Sequence, residues 1–122
     1  MSVLSIGFDE VKCTASIKWI HVQENMRNRG IGTCLLLEAA YEAMSKGCRT
    51  ITLDDVSDGH RTSANIYLRC GFLYDDPDGG PEMTGRSASI ISRVKRNGIS
   101  RVNVSKRKHG KLTILEFECR DK

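Results

Sequence analysis

The sequence predicts an α+β (α/β) domain, a layer of strands covered by helices. Three observations predict it. Strand-like and helix-like patterns alternate along the chain after two opening strands. The 122 residues are 39% hydrophobic and 28% charged with 2 Pro, enough for one core and unlike disordered, collagenous or low-complexity chains. No apolar run approaches the roughly 18 residues of a membrane span, which excludes a membrane partner on this reading.

Val3 to Phe8 is apolar and ends at Asp9-Glu10, a short strand and a turn. Cys13 to Val22 is rich in β-branched and aromatic residues and reads as a second strand. Strict alternation puts Ala15, Ile17, Trp19 and His21 on one face, and Ser16, Lys18, Ile20 and Val22 on the other. Gln23 to Gly32 is polar and glycine-bearing. Ile31, Leu35, Leu36, Ala39 and Ala43 then recur at helical steps, so Gly32 to Lys46 is an amphipathic helix stopped by Gly47. Thr50 to Leu53 is a buried-type strand running into Asp54-Asp55. Ser57, Asp58 or His60 starts a second helix that carries Ile66 and Leu68 and ends at Gly71. Phe72 to Tyr74 is a short strand, and Asp75 to Gly85, with two prolines, a loop. Ile99 to Val104 and Leu112 to Cys119 read as two strands joined through His109-Gly110.

The net charge of +4 hides an asymmetry. Residues 1–85 carry 8 Lys/Arg against 12 Asp/Glu, a net of −4; residues 86–122 carry 11 against 3, a net of +8. Five cysteines, at 13, 34, 48, 70 and 119, form no C-x-x-C pair. That argues against a disulfide framework and against a metal site, and fits a reducing compartment. With no basic n-region or small-residue cleavage site in Met1 to Phe8, the expected location is intracellular: cytoplasmic, with the nucleus also open.

Arg27-Asn28-Arg29-Gly30-Ile31-Gly32, between a strand and a helix, is the most informative segment. Two glycines allow a tight turn and close approach to a ligand. The helix that follows presents unpaired N–H groups and the positive end of its dipole, as a pyrophosphate requires. The third glycine of a dinucleotide fingerprint and the lysine of a P-loop are both missing. A helix-initiating turn with solvated arginines is the plainer alternative.

The segment resembles the GNAT superfamily of N-acetyltransferases when taken with Tyr67-Leu68-Arg69-Cys70-Gly71-Phe72 further on. Ile20-x-Val22, Arg27-x-x-Gly30-x-Gly32 and Tyr67-x-x-x-Gly71-Phe72 follow that family's order over about Val3 to Tyr74. The resemblance implies a mixed, mostly antiparallel central sheet with helices packed on its faces, and acetyl-CoA as acetyl donor. It implies that the strand ending at Val22 splays from its neighbour, so that backbone at Ile20, His21 and Val22 meets the pantetheine arm. Arg27, Asn28, Arg29, Gly30, Ile31, Gly32 and Thr33 would hold the pyrophosphate, and Asn65 would lie near the thiol end. Tyr67 would protonate the departing thiolate, a role suited to a phenol; an interfacial packing tyrosine is the alternative.

The sequence departs from the family pattern in three places. The family's first strand and helix pair have no counterpart before Val3, so this is a short form or one that borrows its missing wall. Ser16 to His21 holds no glutamate, leaving His21, Glu24, Asp54 and Asp55 as the nearest bases. The family's asparagine at the start of the second helix falls near His60.

Asp54, Asp55 and Asp58, with Asp75, Asp76, Asp78 and Glu82, follow two strand ends, where ligand sites in such sheets gather. If they converge, Asp54, Asp55 and Asp76 form an acidic mouth for a cationic amine: a protein lysine, a polyamine or an aminoglycoside. They are otherwise solvated loop residues, or Asp54 and Asp55 cap the following turn.

Residues 1–85 are the expected cofactor-binding core, and 86–122 a basic, β-rich extension completing the same domain. The extension reads as a solvated hairpin face, a clamp for the cofactor's 3′-phosphate, a dock for an acidic partner, the missing wall, or a strand pair for a homodimer. Its one aromatic, Phe117, argues against nucleic acid. The leading reading is an acetyl-CoA-dependent N-acetyltransferase acting by direct attack. An acetyl-CoA-binding module or subunit without efficient turnover is the alternative, and a basic nucleic-acid-binding protein the third.

Overall fold

The computed structural model of the chain describes residues 2–22, 30–55, 65–99 and 101–117. In chain order the elements are β1 (Ser2–Asp9), β2 (Thr14–His21), α1 (Ile31–Ser45), β3 (Thr50–Asp54), α2 (Ile66–Cys70), β4 (Leu73–Tyr74), β5 (Glu82–Arg86), α3 (Ser87–Arg96), β6 (Ser105–His109) and β7 (Leu112–Phe117). The seven strands form one sheet in the order β4-β5-β3-β2-β1-β7-β6. Only β2 and β3 run parallel, joined across α1 as a parallel pair requires; every other pair is antiparallel. The mixed, mostly antiparallel sheet is the one expected.

Leu35, Leu36, Leu37, Ala39, Ala40 and Ala43 sink α1 onto Leu4 and Ile6 of β1, Ala15 of β2, Ile51 of β3 and Leu115 of β7, all nearly sealed from solvent. Burial of each large apolar side chain contributes roughly 1.5–3 kcal/mol. Both α2 and α3 lean on α1 and on each other. Phe72, Met83 and Ile90 fill the space beneath them, and a Cβ on Gly85 would lie 3.0 Å from both Phe72 and Ile90.

Two elements escaped the sequence reading. Part of the expected loop is β5, which contributes only Met83 and Gly85 to the core. Helix α3 lies within the basic extension, and buries only Ser87, Ile90 and Val94. The strand expected over Ile99 to Val104 is corrected. Residues 99 and 101–104 form a strap with no ladder partner among the described residues, and its half-buried Ile99 and Val104 pack against the core. The paired strand is the wholly exposed Ser105–His109, turned back onto β7 at Gly110 (φ 61°).

Arg101 lies flat on Tyr41, 3.9 Å from the ring centre, and makes two hydrogen bonds to the buried carboxylate of Glu38 (3.0 and 3.2 Å). Lys106 pairs with Glu42 at 2.6 Å. The strap is thus fastened to α1, and β7 lies in the same sheet as β1.

Candidate active site

The parallel pair is incomplete. β2 and β3 are in register at Thr14/Thr50, Ala15/Ile51 and Ser16/Thr52, and nowhere beyond. At the last pair the two hydroxyls bond across the strands, Ser16 Oγ to Thr52 Oγ1 at 2.8 Å. The next residues of β2 stay paired with β1 but not with β3, so β2 has an open edge inside the sheet. A bulge marks this point: Ser5 faces Trp19 and Ile6 faces Ile17, leaving Lys18 as the extra residue.

The bulge corrects the expected strand faces. Ala15 and Ile17 are buried, but beyond Lys18 the phase reverses. Ile20 then packs inward, while Trp19 and His21 are exposed and stack at 5.8 Å between ring centres.

A cavity of about 290 Å³ lies where the strands part, lined by Ile17, Lys18, Trp19, Ile20, Leu53, Asp54 and Tyr67. A second, of about 440 Å³, shares Ile17, Lys18, Leu53 and Asp54 with it and continues over Ser16, Thr52, Asp75, Glu82 and Met83. Three carboxylates and one ammonium therefore border the joined space.

Helix α1 begins at Gly30, whose φ of 77° is a left-handed conformation that a side chain resists. Gly30 has no side chain to cap the first turn and no acid stands in that turn, so among the described residues the amides of Ile31, Gly32 and Thr33 lie at an uncapped positive helix end. Gly32 has a different reason: a Cβ there would lie 2.9 Å from Ile66 Cδ1 and 3.5 Å from Val22 Cγ2. It lets α1 approach α2 and the end of β2.

Tyr67 sits in the first turn of α2. Its ring meets Phe72 edge-on at 6.2 Å, and its hydroxyl makes no hydrogen bond among the described residues. Burial, with smaller contributions from Asp55 and Cys70, raises its phenol above the ordinary tyrosine value. Asn65 caps the helix: its Oδ1 accepts from the backbone N–H of Tyr67 (2.8 Å) and Leu68 (3.1 Å). Its amide nitrogen donates to Asp55 Oδ2 at 2.6 Å, and the Tyr74 hydroxyl donates to the same oxygen at 2.6 Å.

The expected site residues are thus partly assembled. Ile20, Tyr67 and Asp54 meet at one cavity; Gly30, Ile31, Gly32 and Thr33 open α1, with Val22 beside Gly32. His21 stands next to that cavity through its stack on Trp19. Arg27, Asn28, Arg29, Glu24 and the helix-start candidates Ser57, Asp58 and His60 lie outside the described residues. Asp55 does not reach the mouth: it is buried, facing Asn65 and Tyr74. Asp76 accepts the Asp78 amide within its own turn and lines neither cavity. Asn65 uses its side chain inside the protein.

Residues the sequence did not single out are Trp19, Ser16, Thr52 and Tyr74. Alternation alone gives no sign of a bulge, and a long-range hydroxyl pair leaves no local pattern. Cys70, pushed up to about 11 chiefly by burial, stays a protonated packing group. Among the described residues no cluster of His, Cys, Asp or Glu could hold a metal, and no helix is long and apolar enough to cross a membrane.

Residues 3–72, from β1 through the Phe72 that follows α2, match the acetyltransferase (GNAT) family. The chain belongs to the GNAT acetyltransferase family. The match covers more than half of it, and the parted strands, bare α1 start and Tyr67 all lie inside or at the border of the matched stretch. No curated protein matches the sequence.

Among solved structures the GNAT fold is shared with the ribosomal-protein-S18-alanine N-acetyltransferase of Escherichia coli, at 23% identity, TM-score 0.53, over 70% of this chain and 61% of that one. It is shared with an IAA acetyltransferase from Bacillus cereus, at 18% identity, TM-score 0.53, over 70% and 67%. Tetrahymena GCN5 aligns at 15% identity, TM-score 0.50, over 70% and 59%. The chain thus spans about three fifths to two thirds of these proteins' lengths.

Proposed function

We propose that this GNAT chain is an N-acetyltransferase that moves the acetyl group of acetyl-CoA to a cationic primary amine. One observation carries the reading: β2 and β3 part after Ser16/Thr52 around a cavity walled by Tyr67. The residues present fit the cofactor. The open edge of β2 from Ile17 to His21 suits an amide-bearing arm, and the uncapped α1 start suits a pyrophosphate. Gly30 gives the backbone its left-handed turn there. Bound acetyl-CoA supplies an activated acyl carbon and a thiolate leaving group.

In this reading the neutral amine nitrogen bonds to the acyl carbon and the carbon–sulfur bond breaks. Tyr67 gives its phenolic proton to the departing sulfur, and the nitrogen's surplus proton leaves to solvent at the exposed mouth beside Asp54. A phenol held protonated by burial fits the donor's part.

Asp54, Asp75 and Glu82 along the joined cavities favour a cation as acceptor: a protein lysine, a polyamine or an aminoglycoside. Of the three expected mouth carboxylates, Asp54, Asp55 and Asp76, only Asp54 lines these cavities. Residues 86–122 are read as completing the same domain as 1–85, supported by β7 on β1 and by Arg101 and Lys106 on α1. A homodimer through the β6 edge is disfavoured, because it would set the basic run Lys106, Arg107 and Lys108 against the same run of the other copy.

The test is turnover of acetyl-CoA with spermidine, a lysine-bearing basic peptide and an aminoglycoside. Release of free thiol with at least one amine is expected. Binding without turnover on any of them would leave the acetyl-CoA-binding module. Asp54→Lys should raise KM for the amine several-fold more than KM for acetyl-CoA, with Asp76→Lys close to the unmodified chain. Equal effects of the two substitutions would remove the acidic mouth.

A further inference from the structure

Tyr67 carries the proposed chemistry, yet among the described residues nothing holds its hydroxyl. Its aim therefore comes from its backbone together with the edge-on packing of its ring on Phe72. α2 has five residues, far too short to hold its own shape, since isolated helices are marginal well beyond that length. The carbonyl of Tyr67 accepts the Phe72 amide at 3.0 Å, and its N–H goes to Asn65 Oδ1. The backbone that carries the ring is thus held by the way Asn65 points.

An asparagine side chain has two nearly isosteric ends, one accepting and one donating. Turned over, Asn65 would set its NH₂ against the N–H groups of Tyr67 and Leu68, donor against donor. Asp55 prevents this by accepting from Nδ2 at 2.6 Å, and Tyr74 holds the same Asp55 oxygen at 2.6 Å. Asp55 is in turn fixed by its own N–H, which donates to the Pro81 carbonyl at 2.7 Å. Asp55 and Asn65 are 3% and 4% exposed, so the contact is sheltered from competing water.

We propose that Asp55, Tyr74 and Asn65 are positioning residues: a buried relay from the ends of β3 and β4 to the first turn of α2 that aims the Tyr67 hydroxyl into the cavity between β2 and β3. The proposal rests on the acetyltransferase reading of that cavity. It moves Asp55 and Asn65 from substrate and cofactor contact to the support of the proton donor.

The experiment is a double-mutant cycle on the full chain, with acetyl-CoA and whichever of spermidine or the lysine-bearing peptide turns over. Asp55→Ala should lower kcat about tenfold or more, the scale on which a small misplacement of a reacting group acts. KM for acetyl-CoA should stay within about twofold. Asp55→Asn, which keeps an oxygen for Asn65 and Tyr74, should restore most of the loss. In a Tyr67→Phe background Asp55→Ala should cost nothing further, because there is no hydroxyl left to aim.

A second readout needs no turnover. Amide hydrogen exchange in the cofactor-free chain should quicken about tenfold at Tyr67 and Leu68 in Asp55→Ala, and not in the strands. If Asp55→Ala does not fold, Tyr74→Phe takes its place in the same cycle. An equal loss of kcat with and without the Tyr67 hydroxyl would overturn the proposal, as would unchanged kcat in Asp55→Ala. If Tyr67→Phe itself keeps full turnover, the general-acid reading falls and takes the relay with it. If Tyr67→Phe is slow while Asp55→Ala is not, the relay alone falls.

Discussion

Helix α1 follows Gly30, a cap residue with no side chain to offer its first amides, whereas α2 follows Asn65, whose oxygen takes two of that helix's own amides. Both helices follow strands that border the same cleft. A long helix with a bare, unacidified start presents a site for an outside anion. A short helix whose amides are closed by a buried asparagine, itself held by a carboxylate, presents no such site but holds its first-turn side chain still. One start is left for a ligand, and the other serves the residue it carries. In the proposed reaction, ligand and proton donor would thus be placed by opposite treatments of the same backbone problem.

The comparison can be broken most sharply at Tyr67. Tyr67→Phe should cut turnover by a factor of ~10²–10⁴, with melting temperature and acetyl-CoA affinity nearly unchanged. The raised phenol stays protonated to higher pH than an ordinary tyrosine. The alkaline fall of kcat in the unmodified chain should therefore lie above the usual tyrosine range, and it should vanish in Tyr67→Phe. Melting temperature and turnover measured on one sample decide it: lost stability with near-normal turnover per folded molecule marks a packing residue.

Next in size is the bare start. Gly32→Asp should weaken acetyl-CoA binding tenfold or more by calorimetry, about 1.4 kcal/mol, through like charge beside the pyrophosphate. Gly32→Ala controls for bulk. The atom it would meet is the movable tip of Ile66, so its affinity should change little and its stability by less than about 1 kcal/mol. Equal losses for Asp and Ala would mean that packing, not charge, governs the position.

Gly30→Ala should cost about 1–2 kcal/mol in denaturant unfolding, because φ of 77° opposes a Cβ. Asn65→Ala should cost about 0.5–2 kcal/mol by loss of the cap. The two differ in consequence: the Gly30 change should reduce acetyl-CoA affinity, the Asn65 change only turnover.

Most of what frames the cleft was legible in residue order. The three- and four-residue steps of Ile31 to Ala43 gave α1, β-branched runs gave β1, β2 and β3, and Gly30 and Gly32 marked the loop. Tyr67 with Gly71-Phe72 marked the second helix. What stayed hidden depends on contacts far apart in the chain. The reversal of faces at Lys18 is a relation between β1 and β2. The role of Asp55 is set by Asn65 and Tyr74, which reach it from other elements, so an aspartate after a strand looked like part of the mouth. Helix α3 was missed because Ile90 stands among serines and Val94 among basic residues, and the strap because Val102 and Val104 alternate like a strand.

The pairing of β7 with β1 puts Phe117 opposite Ser2. Almost the whole chain is looped between those two strands, so this contact has the highest sequence separation in the sheet and the largest closure entropy. Until it forms, β1 is an open hydrophobic edge carrying Leu4 and Ile6, the kind of edge on which chains aggregate. The strap shortens the search: once Arg101 has settled on Tyr41 and Glu38, the hairpin is tethered beside the edge it must cover. The pair of half-exposed Arg101 with buried Glu38 should thereby act on the rate at which the sheet closes. High salt, which screens the approach more than the sheltered pair, should slow the last step of refolding more than it lowers stability.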